Sequence, residues 1–152
     1  MSYEMQGWYY EDWTDGYELW TASRTITEAD IGAFAGVSGD FNPLHTNEVF
    51  AAATPMKTRI AHGMLGVAVA TGLANQTRTM EGTTIALMSQ TLNYKAPVFP
   101  GDTLTLRLTV EKKKETKSPK RGIVFFKMDL FNQKDEVVTD GQWILMMQRK
   151  AE

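Results

Sequence analysis

Hydrophobic and polar positions alternate most strictly in the C-terminal half of the chain. Leu104, Leu106, Leu108 and Val110 interleave with Thr103, Thr105, Arg107, Thr109 and Glu111, the two-residue period of a half-buried strand. Val124, Phe126, Met128 and Leu130 repeat the pattern, and Trp143, Leu145 and Met147 close the series after a turn at Asn132-Gln133-Lys134-Asp135. Thr83 to Tyr94 reads as a longer, mixed strand ended by Pro97 and the Pro100-Gly101 turn, and Tyr17 to Arg24 as a strand near the start. Between these the period becomes helical. Thr27 is placed as an N-cap, Asp30 stands in capping-box register, and Ile26 and Ile31 form a hydrophobic staple. This predicts a helix from Glu28 to about Ala35, with Ile31, Phe34 and Ala35 as its apolar stripe and Gly36 and Gly39 bringing it to an end. A short helix is predicted from Asn47 to Ala53, stopped before Pro55, and a longer one from Gly63 to about Gln76.

The last of these helices lies in a stretch without charge, from Arg59 to Arg78 with His62 counted neutral. Its continuous apolar-and-small portion, Gly63 to Ala74, is well short of the ~20 residues that span a bilayer. A helix apolar all round that cannot span a membrane is expected inside a protein. The order is then strand, helical insert, apolar helix and four consecutive strands. Antiparallel neighbours joined by short turns, curved round that helix, form the economical α+β solution. Residues 1–15 hold Trp8, Tyr9, Tyr10 and Trp13 among acids, an aromatic extension expected to pack on the rest. The segment from Lys112 to Arg121 reads as an exposed, Lys-rich hairpin loop, and Met64, Met88, Met128, Met146 and Met147 as core filler.

Composition narrows the function classes. A chain of 152 residues with 43% hydrophobic content can bury its own core, so residues 1–152 are read as a single domain. The 16 Lys and Arg nearly balance the 18 Asp and Glu, and a formal charge of −2 predicts neither a nucleic-acid nor a membrane partner. Cys is absent, which excludes disulfides, thiolate metal sites and a Cys nucleophile. The N-terminal sequence lacks the basic and then apolar order of a signal peptide, so a cytoplasmic protein is expected.

Only two histidines exist, His45 and His62, and each stands in unusual local chemistry. Asp40 and His45 are five residues apart on a loop stiffened by Pro43, a spacing that can aim both at one water molecule, with the Asn42 amide between them able to hold either. Adding water to a double bond conjugated to a thioester needs a base for the water, a proton donor for the α-carbon and a partner for the enolate-like oxygen. Gly63, at the first turn of the uncharged helix, offers an unpaired amide and a close approach for that oxygen. The bland readings stand beside these. An Asp past a helix is an ordinary turn residue, Asn-Pro is common in turns, His62 before a helix can serve only its N-terminus, and Gly63 and Gly66 can serve only packing. Gly36-Val37-Ser38-Gly39-Asp40 lacks the second Gly of a nucleophile elbow, no His-x-x-x-His pair predicts a metal site, and no glycine-rich phosphate motif follows a strand.

The run Ser38-Gly39-Asp40-Phe41-Asn42-Pro43-Leu44-His45, followed by Ile60-Ala61-His62-Gly63-Met64-Leu65, resembles the MaoC-like, (R)-specific enoyl-CoA hydratases. Leu92-Asn93-Tyr94-Lys95-Ala96-Pro97-Val98-Phe99-Pro100-Gly101-Asp102 is similar to the same family. The resemblance implies a hot-dog fold, a long helix wrapped by an antiparallel sheet, with subunits paired as a homodimer or higher homo-oligomer. It implies that Asp40 and His45 activate water and that the Gly63 amide receives the carbonyl of an acyl-CoA or acyl-carrier-protein thioester. It further implies syn addition to give an (R)-3-hydroxyacyl product, with neither a cofactor nor a metal. Asn42, His62, Met64 and Thr71 are the expected substrate-binding residues; Thr71 stands where one variant of the pattern has serine, keeping the hydroxyl. Because one fold hosts several chemistries, a hot-dog thioesterase and a non-catalytic acyl-thioester-binding subunit are the alternatives.

Overall fold

The computed structural model describes residues 3–151. Its strands are β1 (Glu18–Thr25), β2 (Thr84–Tyr94), β3 (Thr103–Glu115), β4 (Arg121–Phe131) and β5 (Val137–Gln148). Its helices are α1 (Glu28–Ser38), α2 (Pro43–Thr46), α3 (Glu48–Ala52) and α4 (Gly63–Gln76). All five strands form one antiparallel sheet in the order β1-β3-β4-β5-β2, and α4 lies against its inner face, the hot-dog arrangement. Among the described residues no helix is long and apolar enough to cross a membrane.

The alternating positions do what their period predicts. Leu104, Leu106, Leu108, Val110, Val124, Phe126, Met128 and Leu130 are buried and meet Leu65, Val69, Ala70, Leu73 and Ala74 of α4 in one core. Burying such side chains is worth roughly 1.5–3 kcal/mol each, which fixes both the register of the sheet and the seat of the helix.

Strand order departs from the expected run of hairpins. β2 pairs with β5 at the far edge instead of with β3. The Pro97- and Pro100-containing segment after Tyr94 is too stiff for a tight turn and crosses the sheet end. Hydrogen bonds from Ala61 N to Val98 O (2.7 Å) and from Ile26 N to Asp102 O (2.8 Å) pin it there.

Three boundaries also move. α1 runs through Gly36 to Ser38, and only Gly39, in the left-handed region at φ 75°, ends it. The Lys-rich segment is mostly strand. Lys112, Lys113 and Lys114 pair with Phe125, Val124 and Ile123, and Lys113 Nζ donates to the carbonyls of Tyr10 (2.9 Å) and Trp13 (2.7 Å). α4 is buried on one face only, because the sheet wraps one side, leaving Met64, Ala68, Thr71 and Gly72 exposed on the other. Met64 and Met88 are therefore surface residues, whereas Met128 and Met147 are core.

The aromatic extension packs as expected, at the C-terminal end of α4. Trp8 N donates to Thr79 O (2.7 Å), and Trp13, fully buried, meets Trp8 and Phe126 at 5.0 Å each. Met1 and Ser2 lie outside the described residues.

Candidate active site

A cavity of about 620 Å³ opens beside the N-terminal end of α4, lined by Asp40, His45, His62, Gly63, Met64 and Tyr94 among others. Its walls come from three separate stretches: the end of α1 with α2, the start of α4, and the crossing segment Lys95-Ala96-Pro97-Val98.

The first stretch is built by local rules. Gly39 reverses the chain after α1, and Ser38 Oγ accepts from the Asp40 amide at 3.1 Å. The Asp40 carboxylate in turn accepts from the Asn42 amide at 3.1 Å. Asn42 then caps α2, its Oδ1 accepting from Leu44 N at 3.0 Å, with Pro43 at the first helical position. His45 thus sits on a one-turn helix, not on the loop expected from sequence. Its Nδ1 lies 2.8 Å from Ile60 O. A carbonyl can only accept, so Nδ1 carries a proton, and in the neutral ring Nε2 then presents a lone pair. Arg59, next to Ile60, is tied to Glu48 of α3 (2.8 Å) and Glu28 of α1 (2.9 Å), which steadies the chain on which His45 leans. Those bonds hold the Glu48 carboxyl below its ordinary value, the hydrogen bond from Arg59 being the largest cause.

The second stretch supplies amides. The first hydrogen bonds of α4 run from Leu65 N and Gly66 N to His62 O (3.0 and 3.4 Å), so the N–H groups of Gly63 and Met64 have no partner among the described residues. They carry the positive end of a 14-residue helix. The space that a Cβ on Gly63 would occupy is filled by the Tyr94 ring, whose Cε1 would lie 2.6 Å away. A side chain here would have to displace the Tyr94 ring that packs over the helix start, and sequence spacing gave no sign of that pairing across 31 residues. Tyr94 Oη donates to Met64 Sδ at 3.2 Å. Lys95 on the rim is paired with Asp140 at 3.3 Å; a hydrogen bond from Asn93 holds the Asp140 carboxyl below its ordinary value.

Asp40, His45 and His62 bring one carboxylate and two imidazoles within 4.8 Å of one another. The two rings stack at 3.8 Å with a 30° tilt. Of the other residues singled out in the sequence, Met64 lines the cavity, whereas the Asn42 side chain is spent on its cap. Thr71 lies on the exposed face of α4, off the cavity, its Oγ1 donating to Ala68 O at 2.7 Å. Sequence reasoning did not single out Ile60, whose carbonyl orients His45, or Ser38 and Phe34, which line the cavity. Only the serine, two residues before Asp40, left a local signal.

The family model described as MaoC like domain matches residues 16–128. An (R)-specific enoyl-CoA hydratase of Rhodospirillum rubrum is 44% identical over 102 residues, 67% of this chain and 69% of that protein. A 3-hydroxybutyryl-CoA dehydratase of Methylorubrum extorquens is 33% identical over 149 residues, 98% of this chain and 90% of the relative. The unliganded R-hydratase PhaJ1 from Pseudomonas aeruginosa superposes with a TM-score of 0.80 at 34% identity, over 95% of this chain and 88% of its own. The chain belongs to the MaoC-like dehydratase family.

Proposed function

We propose that this protein is a hydro-lyase that adds water reversibly to a 2-enoyl-CoA, giving an (R)-3-hydroxyacyl-CoA. One observation carries the reading: Asp40, His45 with its Nδ1 held by Ile60 O, and Gly63 at the start of α4 line a single cavity. The thioester carbonyl accepts from the Gly63 N–H, where the helix terminus stabilises the charge that develops on oxygen. His45 Nε2 takes a proton from a water held by Asp40 as the water oxygen bonds to C3. The C2 carbanion, delocalised onto the carbonyl, then takes that proton from His45 on the same face. Water is consumed as hydroxyl at C3 and hydrogen at C2, with no further reactant.

The full chain acts as one domain and pairs with a second copy. Edge strand β2 leaves Ile85, Leu87 and Met88 exposed, and α4 leaves its Met64 face uncovered. Size-exclusion chromatography with light scattering should give a dimer or a larger assembly.

Loss of the enoyl absorbance of crotonyl-CoA measures the reaction directly. Asp40→Asn and His45→Gln should each lower kcat by on the order of 10²- to 10⁴-fold while leaving the melting temperature near that of the parent. Near-normal hydration by both variants overturns the assignment. Release of free thiol instead of hydration identifies a thioesterase.

A further inference from the structure

His62 is the one imidazole that the hydration chemistry leaves without a task. It lines the cavity wall but is only 3% exposed, so little of its ring is open to a substrate. Its Nε2 lies 2.9 Å from the main-chain carbonyl of Asp40, so Nε2 carries the proton and donates. Its ring stacks on His45 at 3.8 Å and is flanked on Phe34 at 5.0 Å. It is also the N-cap of α4, immediately before the amide of Gly63, yet its side chain makes no capping bond. The side chain therefore touches two parts of the site, and its main chain adjoins the third.

Its Nδ1 is buried and has no hydrogen-bond partner among the described residues. Such an atom destabilises a fold, and a phenylalanine would stack on His45 without that cost. The Nε2–H is the one polar group of the ring that makes a bond a phenyl ring could not. We propose that His62 is a positioning residue: its Nε2–H fixes the main chain at Asp40 and its ring backs that of His45. The water-handling pair is thereby held in one geometry relative to the Gly63 amide. The inference rests on the hydratase reading. It separates His62 from the substrate-binding role that the sequence suggested, because a residue acting through Asp40 and His45 changes turnover and not affinity.

The test uses the full chain and crotonyl-CoA. His62→Phe keeps the stack and removes the donor, and should lower kcat on the order of 10- to 100-fold with KM changed by less than about threefold. Its melting temperature should equal or exceed that of the parent, since the unpartnered Nδ1 is gone. His62→Gln, whose amide can donate to Asp40 O, should recover a large part of the lost kcat. A His62→Phe enzyme within about twofold of parental kcat overturns the proposal, and so does a rise in KM at unchanged kcat. Long-range 1H–15N NMR of the unsubstituted protein gives a readout independent of turnover and of variant folding. His62 should appear as the Nε2–H tautomer, and an Nδ1–H tautomer overturns the contact. An unsubstituted protein that hydrates no enoyl-CoA overturns the proposed reaction and leaves the NMR result to decide the contact.

Discussion

The two ends of α4 are built in opposite ways from the same apolar helix. At its C-terminal end Trp8, Trp13, Tyr17 and Phe126 close on one another with ring centroids 5.0–6.2 Å apart, and Trp13 is wholly excluded from solvent. At its N-terminal end the first two amides are unpaired, polar side chains converge, and a cavity remains open. The closed end contributes stability and the open end contributes chemistry. A helix start offers donors that a ligand can use, whereas carbonyls of the last turn here are already taken by Thr77 and Arg78.

That division can be broken by substitution. Trp13→Ala should cost about 3–5 kcal/mol by chemical denaturation, with kcat per folded molecule unchanged. Trp13→Phe should cost much less, because the Nε1–H it removes has no partner. Lost turnover in folded Trp13→Ala would show that the two ends are coupled. Gly63→Ala should act at the open end alone, displacing the Tyr94 ring and lowering kcat on the order of 10-fold or more. Adding Tyr94→Ala should return part of it, and no recovery would place the damage on the amide itself. Thr71→Val probes the middle of the helix, away from the cavity, and should leave kcat within about twofold. A large loss there would bring Thr71 back into the site.

The smallest expected effect lies in the cap of α1, which leads into the catalytic stretch. Hydrogen bonding from the Thr27 amide is the largest cause that holds the Asp30 carboxyl below its ordinary 3.8. A depressed folded-state value means that the carboxylate stabilises the fold above 3.8, and that this contribution is lost as pH falls through the lower, folded value. Urea denaturation between neutral and acid pH should show that loss, and Asp30→Asn should flatten it. Thr27→Ala should cost about 1 kcal/mol.

Local chemistry made a large part of the molecule legible. The strand faces followed from alternation, and the start of α1 followed from the Thr27–Asp30 box, observed as reciprocal bonds of 2.9 and 3.2 Å. The end of α1 was misread because a glycine at an exposed helical position is merely unfavourable, and Gly36 pays nothing in contacts, with open space beside it. The Lys-rich segment was misread because charge marks exposure and not backbone shape. Lys112 lies over the Phe125 ring at 4.7 Å while its backbone continues the strand.

The site divides along the same line. Sequence alone determined the break in the chain at Gly39 and the stiffening at Pro43, because turns and a proline act over a few residues, and it determined that Gly63 opens a helix. Only the tertiary structure decided that the two meet. The crossing segment after β2 brings Val98 onto Ala61, His45 leans on Ile60, His62 reaches Asp40 across 22 residues, and Tyr94 takes the space over Gly63. Such contacts leave no period in the chain, since burial and packing between distant segments select them after the local elements have formed.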